Sequence, residues 1–322
     1  MGKASRTKQA PDRRARVAAQ REAARRAEQR KRIYLAGGSI LAVVVVVVAF
    51  VLVKMNSGGS SASNGPTGAA LNTLTKKVTT VPQSVLDKVG GGSISSSVFI
   101  PSSEIPAASA AGSAYFSKIT DTPLTSGGKP EVLYVGAEYC PFCAAQRWSM
   151  IVALSRFGTF TGLKTVHSSS IDVDPNTPTW TFYGSKYTSN YINFTAVEET
   201  SNVQQGNGYA PLQNPTSAQN ALLNKYDPGN PSQGMGGAIP FIDYGNKWVQ
   251  VGNLSPYGPD LLKGMSWDQV AAALSQSSSK LAQGADGSAN YMTAAICQLT
   301  NNQPSTACTP AIQSLETKIA ST

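Results

Sequence analysis

The stretch that decides the fold is EVLYVGAEYCPFCAAQRW, residues 131–148. Its first seven residues, EVLYVGA (131–137), are a short apolar run that reads as a buried strand. Pro141 then stands where a helix has no use for a backbone N–H, and the pattern predicts a helix over 141–157 that Gly158 stops. Cys140 therefore ends a strand and begins a helix, with Cys143 one turn later. Unpaired N–H groups and the positive end of the helix dipole stabilise a thiolate there, drawing a cysteine pKa from about 8.5 to roughly 3.5–7.5. On these residues alone the pair is a redox couple, half of a metal site or an inert bridge. The compartment decides among them.

The chain has 322 residues and a formal net charge of +9. Twelve Lys and Arg fall within positions 1–32 against Asp12, Glu22 and Glu28, so this tail alone carries the whole +9. The remainder holds fifteen basic and fifteen acidic residues. A charged tail on a neutral body is not a nucleic-acid-binding domain, and no nucleic-acid partner is expected. Directly after it, IYLAGGSILAVVVVVVAFVLV (33–53) runs 21 residues without a charge. As a helix this run matches the ~30 Å hydrocarbon core of a bilayer. It exceeds the apolar region of a secretory signal, roughly 7–15 residues, and ends at Lys54-Met55-Asn56, with no small-residue cleavage site. It reads as an uncleaved signal anchor. Basic residues stay on the cytoplasmic side, so the expected protein is single-pass in the cell membrane, its tail cytoplasmic and everything after residue 54 extracytoplasmic. The tail itself reads as a topology signal that is otherwise disordered.

Residues 54–70 are Gly/Ser/Asn-rich and read as a flexible linker, leaving 71–322 as the extracytoplasmic domain. Residues 71–90 carry the apolar spacing of one or two short helices, and the chain then looks loop-like up to Pro130. After the 131–157 strand–helix unit come a strand at 163–173, a strand at 191–198 and a helix near 215–227. A β-hairpin at 238–252 turns at Tyr244-Gly245-Asn246, and helices follow at 266–276, with Ser266 as N-cap, and at 288–302. This order is an α/β plan with one sheet.

Strand–CPFC–helix, together with Ile239-Pro240 at the start of the hairpin, resembles the thioredoxin superfamily. The resemblance implies a thioredoxin-like sheet flanked by helices, with Pro240 as a cis-proline beside Cys140 and Cys143. It also implies that Ile239 offers its backbone to a bound peptide, with Pro141 and Phe142 on the same substrate-facing surface. More narrowly, residues 128–160, 175–189, IPFIDYG (239–245) and ANYMTAAIC (289–297) are similar to an uncharacterised thioredoxin-like family of archaea and actinobacteria, domain of unknown function 929. That likeness covers about residues 70–320 and implies a fold without an activity. Two departures from ordinary thioredoxins stand out. Tyr134 occupies the position, six before the first cysteine, where many members have a buried acid, and Glu138 is expected to face solvent. Cys143 and Pro240 are also 97 positions apart, so an insertion at about 172–236 precedes the cis-proline hairpin.

Outside the membrane an even cysteine count usually means bridges, and Cys297 with Cys308 reads as a structural disulfide, with an electron relay to Cys140 and Cys143 or a metal site as the alternatives. His167, the single histidine, reads as a packed or solvated strand residue, and the cysteine spacings are poor for zinc, so no metal or cofactor is expected. Trp148, Ile151 and Val152 read as core, Arg147 as an exposed residue or a bias on the thiolate, and Asp172 and Asp174 as a solvated turn. Ser168, Ser169 and Ser170 form no triad.

The expected function is a membrane-anchored thiol–disulfide oxidoreductase acting on cysteines of exported proteins. Cys140 is its exposed nucleophile and Cys143 its resolving thiol, with a membrane thiol oxidase or reductase as electron partner. A thioredoxin-fold binding or assembly module with an inert disulfide, and a copper metallochaperone, are the competing readings. Protease added outside intact cells is expected to digest the region beyond residue 54 or release it as a soluble fragment. Protection until the membrane is broken would reverse the orientation.

Overall fold

In the computed structural model, residues 65–92, 116–229, 237–252 and 257–320 are described, all within one compact unit, Ser61–Thr322. The tail, the apolar run at 33–53 and residues 54–64 of the linker lie outside the described residues. Among the described residues no helix is long and apolar enough to cross a membrane.

In chain order the unit begins with helices α1 (Gly68–Thr79) and α2 (Gln83–Val89). Strands β1 (Ser117–Lys118), β2 (Thr125–Ser126) and β3 (Lys129–Gly136) then lead into helix α3 (Pro141–Leu154). Seven short strands follow: β4 (Gly158–Thr161), β5 (Lys164–His167), β6 (Pro178–Thr181), β7 (Lys186–Ser189), β8 (Asn193–Glu198), β9 (Thr200–Gln205) and β10 (Gly208–Pro211). Helix α4 (Ser217–Tyr226), strands β11 (Phe241–Tyr244) and β12 (Trp248–Val251), and helices α5 (Trp267–Leu274), α6 (Lys280–Leu299) and α7 (Pro310–Ala320) complete it.

The central sheet runs β8–β3–β11–β12–β1, with β2 pairing the first residues of β3. β8 lies parallel to β3, while β11 and β12 are antiparallel to their neighbours. Alternation along β3 divides the core. Val132 and Tyr134 enter the large cluster under the helices, whereas Leu133 and Val135 join Val197, Phe241 and Val249 on the opposite face. Leu222, Leu223 and Tyr226 of α4 pack on that second face, so the sheet has helices on both sides. The molecule is mixed α/β with a sheet flanked by helices.

Several boundaries differ from the sequence pattern. The first helix begins at Gly68, inside the expected linker, and β1 and β2 lie where only loop was expected. Helix α3 ends at Leu154, and Gly158, rather than stopping it, opens β4, where the carbonyl of Thr188 approaches too closely for a Cβ. The strand expected at 163–173 ends at His167. The last expected helix, 288–302, is the second half of the 20-residue α6. Its first half, KLAQGADGSANY, has two glycines and few large apolar residues, so its helicity comes from packing on α3 and not from propensity. There, Asn290 donates from Nδ2 to the carbonyls of Leu86 and Gly90, each at 2.8 Å, satisfying the C-terminal end of α2. The extra length expected at 172–236 is not a single block among the described residues. It is spread over β6 and β7 before the central strand β8, and over β9, β10 and α4 after it.

Ser266 caps α5 reciprocally with Gln269, as its position indicated. Cys297 and Cys308 are disulfide-bonded, their Cα atoms 5.7 Å apart, tying the end of α6 to the segment that leads into α7. A bridge of this loop length restrains the unfolded chain by about 3 kcal/mol. Replacing both cysteines by alanine is expected to lower unfolding free energy by about that amount in denaturant titrations, leaving the reactivity of Cys140 unchanged.

Candidate functional site

Cys140 is the N-cap of α3. Its backbone is extended, and its sulfur accepts the N–H of Cys143 at 3.2 Å, one of the donors that a helix start leaves unpaired. Pro141 occupies the first turn, where its missing N–H costs nothing. The Cys140 thiol also points at the Ile239 carbonyl, 3.7 Å away, and the Ile239–Pro240 peptide bond is cis. The fold thus brings Cys140, Cys143, Ile239 and Pro240 to one place, although 99 positions separate Cys140 from Ile239. Pro141 and Pro240 are buried, while Phe142 and Ile239 keep partial exposure beside the cysteines.

Cys140 is not the exposed nucleophile expected: only 4% of its surface is accessible, and Cys143 is fully buried. The turn before Cys140 is covered. Tyr139 stacks on Tyr209 of β10, ring centroids 4.2 Å apart and nearly coplanar. The Tyr209 hydroxyl donates to Ser169 Oγ at 2.6 Å, and the Ser169 N–H donates to the Tyr139 carbonyl at 2.8 Å. Glu138 is likewise buried and does not face solvent, and its N–H donates to the Thr200 carbonyl at the start of β9, 2.9 Å away.

Of the two expectations for Arg147, exposure is overturned. The residue lies one turn beyond Cys143 and is fully buried. Its Nε donates to Glu198 Oε1 at 2.9 Å, its Nη2 to Glu198 Oε2 at 2.6 Å and to the Ala137 carbonyl at 2.7 Å. Glu198 Oε1 also accepts the N–H of Phe182 at 3.2 Å. The guanidinium carbon lies 5.8 Å from the centre of the Tyr134 ring, and Phe182 meets that ring edge-on at 5.3 Å. Sequence reasoning missed Glu198 entirely. The only signal was an acid at the end of an expected strand.

These surroundings separate the two thiols. Burial pushes the Cys140 thiol up, but hydrogen bonds from the Cys143 side chain and N–H, with the positive charge of Arg147, outweigh it and bring it below its ordinary value. For Cys143, burial, its hydrogen bond to Cys140 and the negative charge of Cys140 all favour the thiol, and Arg147 only partly offsets them, so it lies well above. Burial holds the Tyr134 phenol well above its usual range. The arrangement can present one stabilised thiolate with a protonated partner in reserve.

The other candidates are structural. His167 packs on Trp267, centroids 4.4 Å apart, and partial burial alone lowers its pKa. The Ser168 Oγ accepts the Thr177 N–H at 2.9 Å, and Asp172 caps the N–H of Val173 at 2.7 Å, both closing the loop after β5. Trp148, Ile151 and Val152 are core.

A sequence-family model described as Domain of unknown function (DUF929) matches residues 115–298, more than half of the chain. The match takes in CPFC, Ile239-Pro240 and Glu198 and ends between Cys297 and Cys308. No curated protein and no solved structure matches the chain.

Removing one member of a buried ion pair strands the other, at a cost of about 3–5 kcal/mol, whereas replacing both by apolar groups is often nearly neutral. Glu198→Ala is therefore expected to lower unfolding free energy by about that amount, and Arg147→Met combined with Glu198→Leu by much less. Equal losses in denaturant titrations would show that Arg147 does not depend on Glu198.

Proposed function

The chain belongs to the DUF929 family, whose description assigns no activity, and from the site it carries we propose that it is a thiol–disulfide oxidoreductase with a thioredoxin-like core. The observation that carries the reading is the pairing of a lowered Cys140 thiol, at a helix N-terminus and beside the cis Ile239–Pro240 bond, with a raised Cys143 one turn behind it. The strand order β8–β3–β11–β12, parallel then antiparallel, supports the likeness to thioredoxins. The reading includes the signal anchor at 33–53, an extracytoplasmic location and exported cysteine-containing proteins as substrates.

In the reductive direction, the Cys140 thiolate attacks one sulfur of a substrate disulfide. A bond forms between the two sulfurs, the substrate's S–S bond breaks, and the departing sulfur takes the electron pair and a proton. Cys143 then attacks Cys140, forming the internal disulfide and releasing the second substrate sulfur as a thiol. The reverse sequence oxidises a substrate dithiol. A membrane thiol reductase or oxidase returns the couple to its starting state.

The low exposure of Cys140 favours a second reading, in which the fold is a binding or assembly module and the cysteine pair is inert. Trapping separates the two. With Cys143→Ala in the full chain, Cys140 is expected to accumulate mixed disulfides with exported proteins, seen as adducts on non-reducing gels. These adducts should vanish on reduction and in the variant that also lacks Cys140. A folded, exported Cys143→Ala protein that captures nothing would favour the binding module.

A further inference from the structure

Beside Cys143, two buried donor groups have no hydrogen-bond partner among the described residues: the Tyr134 hydroxyl and Arg147 Nη1. Both side chains are fully buried, and donors left unpaired away from water are costly enough to need a reason. Their positions supply one. Tyr134 leaves β3 on the same face as Gly136, and its hydroxyl fills the space a Cβ at residue 136 would take. That same point lies 3.1 Å from the Cys143 sulfur. Only glycine at 136 lets the phenol reach so close.

Arg147 also acts on Cys143 through its charge. It is four residues beyond Cys143 and shares its face. Glu198 and the Ala137 carbonyl hold Nε and Nη2, so the guanidinium cannot turn away, and Nη1 is the corner left over. Glu198 is an unsuitable proton acceptor, because both its oxygens already accept from Arg147 and one also accepts from Phe182. It is a positioning residue for the guanidinium.

We propose that Tyr134 and Arg147 form a donor cradle that holds the Cys143 sulfur as a thiolate during resolution, in place of a buried acid that would accept its proton. The inference rests on the oxidoreductase reading. With a neutral thiol at 143 the two donors are idle. When Cys143 ionises, its sulfur becomes the acceptor both lack. The thiolate then attacks Cys140, the bond from Cys140 to substrate breaks, and the substrate sulfur leaves with the electron pair and picks up from solvent the proton that Cys143 released. The charge of Arg147 acts on Cys143 in this sense, and charge on Cys143 is felt in turn by Tyr134. The other ionisable groups around Cys143 are Cys140 on its own helix, Glu138 and Tyr139 in the turn before it, and Glu198 on β8 behind Arg147.

Resolution can be timed directly. The reduced full-length chain is treated with a small aromatic disulfide whose thiol is coloured on release. Attack by Cys140 frees one equivalent, and attack by Cys143 on the mixed disulfide frees the second. Tyr134→Phe, which removes only the hydroxyl, is expected to leave the first phase unchanged. It should slow the second about tenfold near neutral pH, moving its pH midpoint up by about one unit. Arg147→Lys, which keeps the charge but not the fork, should shift the same midpoint upward. If both variants release the second equivalent at the wild-type rate and midpoint, the cradle is wrong, whatever the protein's activity in cells. If the shifts appear but Cys143→Ala captures no cellular protein, the cradle stands and the oxidoreductase reading falls.

Discussion

The ion pair between Arg147 and Glu198 is the constraint on which the site depends. It joins the helix that carries both thiols to the strand lying parallel to β3, and through Nη2 it also holds the carbonyl of Ala137 at the end of β3 itself. Taking two charges out of water costs several kcal/mol per ion, and the mutual attraction repays this only when geometry is good and the remaining polar atoms are used. Here the contact is two-pronged, and a third protein donor completes the carboxylate. The pair is a poor way to gain stability, and its worth lies in where it places a permanent positive charge.

That placement accounts for the divergence of two chemically identical thiols three residues apart. Cys140 sits where the helix start offers N–H groups, whereas Cys143 sits inside, near the Tyr134 phenol and under the charge of Arg147. Burial raises both, and local donors decide which of them is lowered again. The cis-proline loop adds a carbonyl 3.7 Å from the Cys140 sulfur.

How much of this could be read beforehand follows the range of the interactions. The strand, the Pro141 helix start, the hairpin turn and the α5 cap rest on residues a few positions apart, and their spacing is visible in a single sequence. Cys297 and Cys308, eleven residues apart, belong to the same class. For Arg147 the sequence leaves exposure and a bias on the thiolate both open, because a lone arginine on a helix looks like surface until its partner, 51 residues on, is known. Glu138 is buried, its N–H bonded to the first residue of β9, whose polar sequence TSNVQQ gives no hint of that contact. The first half of α6 escaped notice for the opposite reason: its small residues signal nothing alone and become informative only against α3.

The close fit of Tyr134 against Gly136 also constrains how this chain can change. The phenol tip and a methyl group compete for one space, so positions 134 and 136 are not independent. With tyrosine in place, even alanine at 136 would force the strand or the ring to shift, and a lineage could reach a larger residue there only after the ring had gone. A short acid at 134 would remove the larger of the two obstacles to a Cβ at 136, leaving the Cys143 sulfur, and would at the same time leave the guanidinium without the ring it packs beside. Two residues of β3 and one of α3 are thus tied into a single inherited unit, in which the workable replacements are joint ones.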